Sequence, residues 1–159
     1  EDLLQKGEDY FLGRNTPVDY EKAVYYFELS ANAGSTKALS NLGVCAANGY
    51  GMKQDFKKSV EFHEAAAERG DAQALFQLSI RYQFGEGVEK NIDTALSYLK
   101  KAASLGVPTA MNNLGIYYLS TGKMSEGLEL LKKAGEAGES DSLFYIGVHT
   151  INGDYIEKN

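Results

Sequence analysis

The chain is poor in the residues that brace small proteins or carry catalysis. It holds one cysteine among 159 residues, Cys45, so no intramolecular disulfide can form and the fold does not lean on oxidation. Its two histidines, His63 and His149, fall in different parts of the chain and lack metal-ligand spacing. Basic residues are outnumbered, 16 Lys and Arg against 22 Asp and Glu, for a net charge of −6. Nucleic acid is therefore a poor partner, since phosphate binding needs a basic face. An acidic surface instead steers neutral or basic peptides. No apolar run approaches the roughly 20 residues of a membrane span, which argues against membrane insertion. No signal or transit peptide is visible; the expectation is a soluble chain of unknown compartment, with a lean to the cytoplasm. The first residue is Glu1 rather than Met, which leaves an upstream segment open. Two glycine-bearing stretches, NGYGM and FGEGV, look like phosphate loops, but neither follows a strand nor ends in GK[ST]. No acid, base and nucleophile converge in the pattern, so neither enzyme activity nor a cofactor is expected.

What the chain does have is a repeat. Gly34, Gly70, Gly106 and Gly138 are spaced 36, 36 and 32 residues apart, and Leu42, Leu78, Leu114 and Ile146 keep the same steps. Two rows in one register mark a stack of like units. Each unit reads as two helices. The first carries Ala38, Ala74 and Ala110, with the leucine row four residues on and Tyr82 and Tyr118 four further, all on one helical face. The second carries an apolar pair (Tyr26-Phe27, Phe62-His63, Tyr98-Leu99, Leu130-Leu131) and small residues four positions later. Large against small at fixed offsets lets helices interlock. Ser35 and Asp71 read as N-caps of first helices, and Asp19, Asp55, Asn91 and Ser125 as N-caps of second helices. Pro108 suits a first helical turn. His63 is expected to be packed in the repeat and Cys45 to be a small buried apolar residue.

These positions resemble the Sel-one-like repeat, a relative of the tetratricopeptide repeat. One unit matches as Ala74, Leu78, Tyr82, Gly85-Glu86-Gly87-Val88, Ala95, Tyr98, Ala102-Ala103 and Gly106. The unit before it matches as Ala38, Leu42-Gly43, Gly49-Tyr50-Gly51, Asp55, Phe62, Ala66-Ala67 and Gly70. The resemblance implies an all-α fold, a right-handed α/α superhelix (solenoid) of helix-turn-helix repeats, about four and a half of them. The reading is a single domain over 1–159, with repeats 1–34, 35–70, 71–106 and 107–138 and a partial 139–159. Residues 153–159, GDYIEKN, parallel GEGVEKN at 85–91 and stop where a second helix would start. This ending is expected of a fragment of a longer solenoid, or of a chain whose last helix is covered by something else. The repeat of 107–138 lacks the GxGV loop and turns through Thr121-Gly122-Lys123.

The resemblance also implies that first helices line a concave face. Opposite the core stripe they carry Val44; Phe76, Ile80, Gln83 and Phe84; Asn112, Ile116 and Leu119; and Phe144 and Val148. Asn41, Gln77 and Asn113 precede the leucine row and offer amides to a ligand backbone. These residues are the candidate site for a protein or peptide partner, in an adaptor or scaffold role. Two readings stay open for the apolar ones, a groove or core packing between adjacent first helices. The amides have a bland alternative too, capping local turns or meeting water. Two other roles remain: a structural solenoid that oligomerises through its C-terminal end, and an inhibitor or immunity protein that covers a partner enzyme. The lysine pairs Lys57-Lys58, Lys100-Lys101 and Lys132-Lys133 alternate with glutamates and read as a solvated face.

Overall fold

A computed structural model describes residues 2–139. Eight α-helices and no strand occur among the described residues: α1 (Leu3–Leu12), α2 (Tyr20–Asn32), α3 (Thr36–Asn48), α4 (Phe56–Glu68), α5 (Ala72–Phe84), α6 (Ile92–Ser104), α7 (Pro108–Ser120) and α8 (Met124–Glu136). The fold is an all-α helical repeat, as the spacing predicts. Two compact units divide it, one up to Leu96 and one from Ser97 onward. In the first, α1 packs on α2, α2 on α3, α3 on α4 and α4 on α5. In the second, α7 packs on α8.

Local chemistry sets the boundaries. Asp19 accepts a hydrogen bond from the Lys22 amide (3.0 Å), Ser35 from Ala38 (3.2 Å), Asp55 from Lys58 (3.0 Å), Asp71 from Ala74 (2.9 Å) and Asn91 from Thr94 (2.9 Å). Each satisfies one orphan donor of a helix start. Pro108 opens α7 as expected. Ser125 does not cap α8: Lys123 holds the N-cap place, with no side-chain cap bond, and Ser125 lies inside the helix. The reason is visible in the backbone. In three repeats the N-cap amide donates to the carbonyl of the first-helix residue nine positions earlier: Asp19 to Tyr10, Asp55 to Ala46 and Asn91 to Tyr82. Lys123 makes the same bond to Tyr118, only five positions earlier. The deletion therefore falls wholly before Lys123.

The helix pairs meet at a shared register. A Cβ on Gly7 would lie 2.5 Å from the Phe27 ring, one on Gly43 2.6 Å from the His63 ring, and one on Gly115 2.9 Å from the Gly127 carbonyl and the Leu131 side chain. Those three glycines sit 36 and 72 residues apart, and Phe27, His63 and Leu131 answer them from the second helices. All three are fully buried, as are Ala38, Leu42, Ala74 and Leu78 of the first-helix stripe. The loops make the joint to the preceding repeat. A Cβ on Gly51 would meet the Tyr20 carbonyl oxygen at 2.1 Å, and one on Gly87 the Phe56 carbonyl oxygen at 2.4 Å. Both glycines also have positive φ, 65° and 75°, so no other residue fits either place.

His63 is a polar residue in an apolar slot. Ser59 Oγ lies 3.3 Å from its Nδ1, and Nε2 has no hydrogen-bond partner. Burial foremost, and then the Arg81 charge, lower its pKa from 6.5 to about 4, with Asp71 pulling the other way. The imidazole is therefore neutral in the folded chain and charges first in the unfolded one.

Two outcomes follow from this packing. Gly43→Ala should destabilise the chain in urea unfolding, because overpacking costs about 1–3 kcal/mol against the roughly 1 kcal/mol that alanine gains in a helix. The loss should largely vanish in a His63→Ala background, a coupling that a double-mutant cycle reads directly. For His63 itself, the folded pKa is depressed, so its contribution is fully present above pH 6.5 and falls as pH drops toward 4. The expected loss is about 2 kcal/mol between pH 7 and pH 5. His63→Leu, which copies Leu131, should remove that share of the pH dependence; equal slopes in the two proteins would show that His63 does not titrate as described.

Candidate partner-binding face

The stripe opposite the core is not uniform. On α3, Asn41 and Val44 are half-buried and face α1 across a pocket of about 320 Å³. Phe11, Leu12, Phe27 and Val44 form its apolar lining, and Glu8, Arg14, Lys37 and Asn41 bring polar groups. Lys37 Nζ lies 2.7 Å from Glu8 Oε1 and ties the two first helices together. Phe11 is held from behind by an aromatic cluster, with ring centroids 5.2 Å from Tyr20, 6.2 Å from Phe27 and 5.6 Å from Tyr50. One wall of the pocket is therefore packed from behind.

On α5, Gln77 and Ile80 are half-buried and Gln83 is exposed. Phe84 is 63% exposed at the helix end. Phe76, expected on the open side, is only 7% exposed. The reason is the burial of the helix round most of its circumference: Ala74, Leu75, Leu78, Ser79 and Arg81 are buried with it. On α7, Asn113 is exposed and Ile116 half-buried, but Asn112 is 6% exposed and so offers little to a ligand. Leu119 turns to its own helix partner, where a Cβ on Gly127 would come within 2.9 Å of it. Phe76 and Asn112 are thus packed within the repeats, and the half-buried Leu119 leans on its own helix partner. Phe144, Val148 and the C-terminal end lie outside the described residues.

The pocket also contains residues that the repeat pattern did not flag: Glu8, Phe11, Leu12, Arg14 and Lys37. The first half of the first repeat lacks the alanine and leucine of the others, so α1 did not align by its core stripe. A signal was present in Gly7 and Gly13, which stand 36 residues before Gly43 and Gly49 and put Leu12 in register with Asn48.

Reactive groups lie elsewhere. Burial pushes the Cys45 thiol up to about 11, so it is a packed thiol rather than a nucleophile. His63 is sealed between α3 and α4. Among the described residues no cluster of three or more His, Cys, Asp or Glu is placed to hold a metal ion. Among them, too, no helix is long and apolar enough to cross a membrane.

The Sel1 repeat profile matches residues 7–35, 36–71, 72–107 and 108–139. No curated protein matches the chain. Of solved structures, a Sel1 repeat protein from Oxalobacter formigenes is similar at TM-score 0.87 and 22% identity, over 99% of this chain and 66% of that one. A protective antigen of uropathogenic Escherichia coli with an SLR fold is similar at TM-score 0.76 and 26% identity, over 99% of this chain and 35% of the antigen. An immunity protein of Pseudomonas aeruginosa shares the fold at TM-score 0.66 and 19% identity, over 91% and 57% of the two chains. The chain therefore spans less than two thirds of each of these relatives. With four consecutive repeats matched, it belongs to the Sel1 repeat family, whose members generally mediate protein–protein interaction.

Proposed function

We propose that the chain is a non-enzymatic interaction scaffold that holds a peptide or helix of a partner protein along its first-helix face. One observation carries this reading. The same helices that close the core at Ala38, Leu42, Ala74 and Leu78 open on their other side, at Asn41 and Val44, into a pocket with an apolar lining. The half-buried Gln77 and Ile80 and the exposed Phe84 occupy the corresponding side of α5. Side chains fixed on packed helices lose little freedom on binding, so most of the interaction energy is kept as affinity. Amides grip a backbone whatever its sequence, while apolar pockets select side chains. Burial of Cys45 and His63 away from this face favours binding over catalysis.

A second reading, an immunity or inhibitor protein, is favoured by the fold shared with the Pseudomonas aeruginosa immunity protein. It would use the same face on one cognate enzyme, whereas a scaffold engages several partners with modest affinity.

The test is affinity capture with quantitative mass spectrometry, using Val44→Asp and Phe84→Ser, with Lys57→Glu on a second helix as control. Partners of the wild type should lose about tenfold or more in recovery with the first two variants, as for central contacts of an interface. Melting temperatures should stay within a few degrees, and Lys57→Glu should capture normally. Undiminished capture by both face variants would place binding elsewhere on the molecule. One dominant partner whose activity is inhibited would select the immunity reading.

A further inference from the structure

We propose that the pocket between α1 and α3 is an anchoring subsite for a partner segment that carries a bulky apolar side chain beside a carboxylate. This rests on the first-helix face being the binding face and adds the chemistry of what it selects. The volume of about 320 Å³ is at the lower end of the roughly 300–1,000 Å³ typical of ligand pockets, room for a side chain or two. Phe27 and Val44 line it without any charge, while Leu12 stands 53% exposed at its edge, an apolar surface left to water.

The charges beside that apolar lining are the informative part. Lys37 is occupied by Glu8, whose side chain is 18% exposed. Arg14 is exposed and has no acidic partner among the described residues. Arg14, Lys37 and Glu8 sum to +1 on a chain whose total is −6. The overall charge favours neutral or basic partners at long range. Within a Debye length of about 8 Å at physiological salt, however, the nearby unpaired guanidinium dominates. A guanidinium matches a carboxylate in shape and charge, and the two form paired N–H donations to its oxygens.

The repeat supplies an internal control. One repeat further along, the positions of Glu8, Arg14 and Lys37 are held by Val44, Tyr50 and Gln73. The helix pair there folds with no charge at any of the three places. The charges are therefore not required by the packing of a repeat, whereas the amide position persists as Asn41 and Gln77.

The experiment is fluorescence polarisation of the full chain with labelled octapeptide pools. Each pool has a central Phe or Leu and one neighbouring Glu, Gln or Lys. The Glu pool should bind roughly fivefold tighter than the Gln pool, the factor that a partly exposed ion pair gives, and the Lys pool weakest. Arg14→Ala should erase the discrimination while keeping apolar binding, and Arg14→Glu should invert it in favour of the Lys pool. Val44→Asp should weaken all three pools. Equal binding of the three pools, or a Glu preference that survives Arg14→Glu, would overturn the carboxylate anchor. In that case sensitivity to Val44→Asp would leave the binding face standing. If Val44→Asp changes nothing, or if no pool binds, the face fails together with the anchor.

Discussion

The structure depends on how closely the two helices of a repeat approach. At Gly7, Gly43 and Gly115 the first helix presents only a hydrogen to its partner, and any larger group would meet Phe27, His63, or Leu131 with the Gly127 backbone. That closeness lets the large residue of the second helix sink fully into the pair, where its contacts are densest. The α5 position holds Ser79 instead. Its hydroxyl folds back to donate to the Phe76 carbonyl at 2.7 Å, so the one polar substitute is satisfied within its own helix.

A second set of contacts joins one repeat to the previous one, and here the chemistry varies while the place is kept. Between the paired loop glycines stand Tyr50 in one repeat and Glu86 in the next. Tyr50 stacks on Tyr20 with centroids 4.8 Å apart, at the start of α2. Glu86 pairs with Arg81, whose guanidinium lies 5.2 Å from the Phe56 ring centroid at the start of α4. The glycine beside each permits the backbone contact, and the middle residue supplies a stack in one case and an ion pair over a ring in the other. Fold is thus carried by the glycine spacing, and the identity between the glycines is free to drift.

The legible part of the molecule follows from that division. Helix pairs, caps at Asp19, Ser35, Asp55, Asp71 and Asn91, and the burial of Cys45 and His63 follow from residues whose job is the same in each unit. Ser125 misled because a deletion can be placed in several ways along a loop, and only the Lys123 amide bond to the Tyr118 carbonyl locates it. At Phe76 and Asn112, on a stripe that the pattern left open between groove and packing, the burial has another cause. A helical wheel tells which side faces the partner helix, but not how far neighbours wrap round the other side. Gln77, Ile80, Asn113 and Ile116 came out with surface to spare, and Asn41 and Val44 came out lining the pocket. Glu8, Arg14 and Lys37 were illegible by the same logic that makes the fold readable: a pattern built from what recurs is blind to what occurs once.

That blindness bears on function. In a repeat protein the recurring residues are consumed by packing, each against its counterpart in the adjoining helix. Specificity must then come from residues that break the register on a surface the packing leaves open. The pocket between α1 and α3 meets both conditions, since its apolar floor is continuous with the core through Phe27 while its charges have no counterpart one repeat on. A binding site of this kind costs the fold little, because neutral residues serve equally well at the same positions in the next pair. Its walls are held by their neighbours: Phe11 packs against Tyr20, Phe27 and Tyr50, and Lys37 pairs with Glu8. On the proposed reading, the unpaired Arg14 is the group left to choose among partners, and its influence is confined to the segment that enters the pocket.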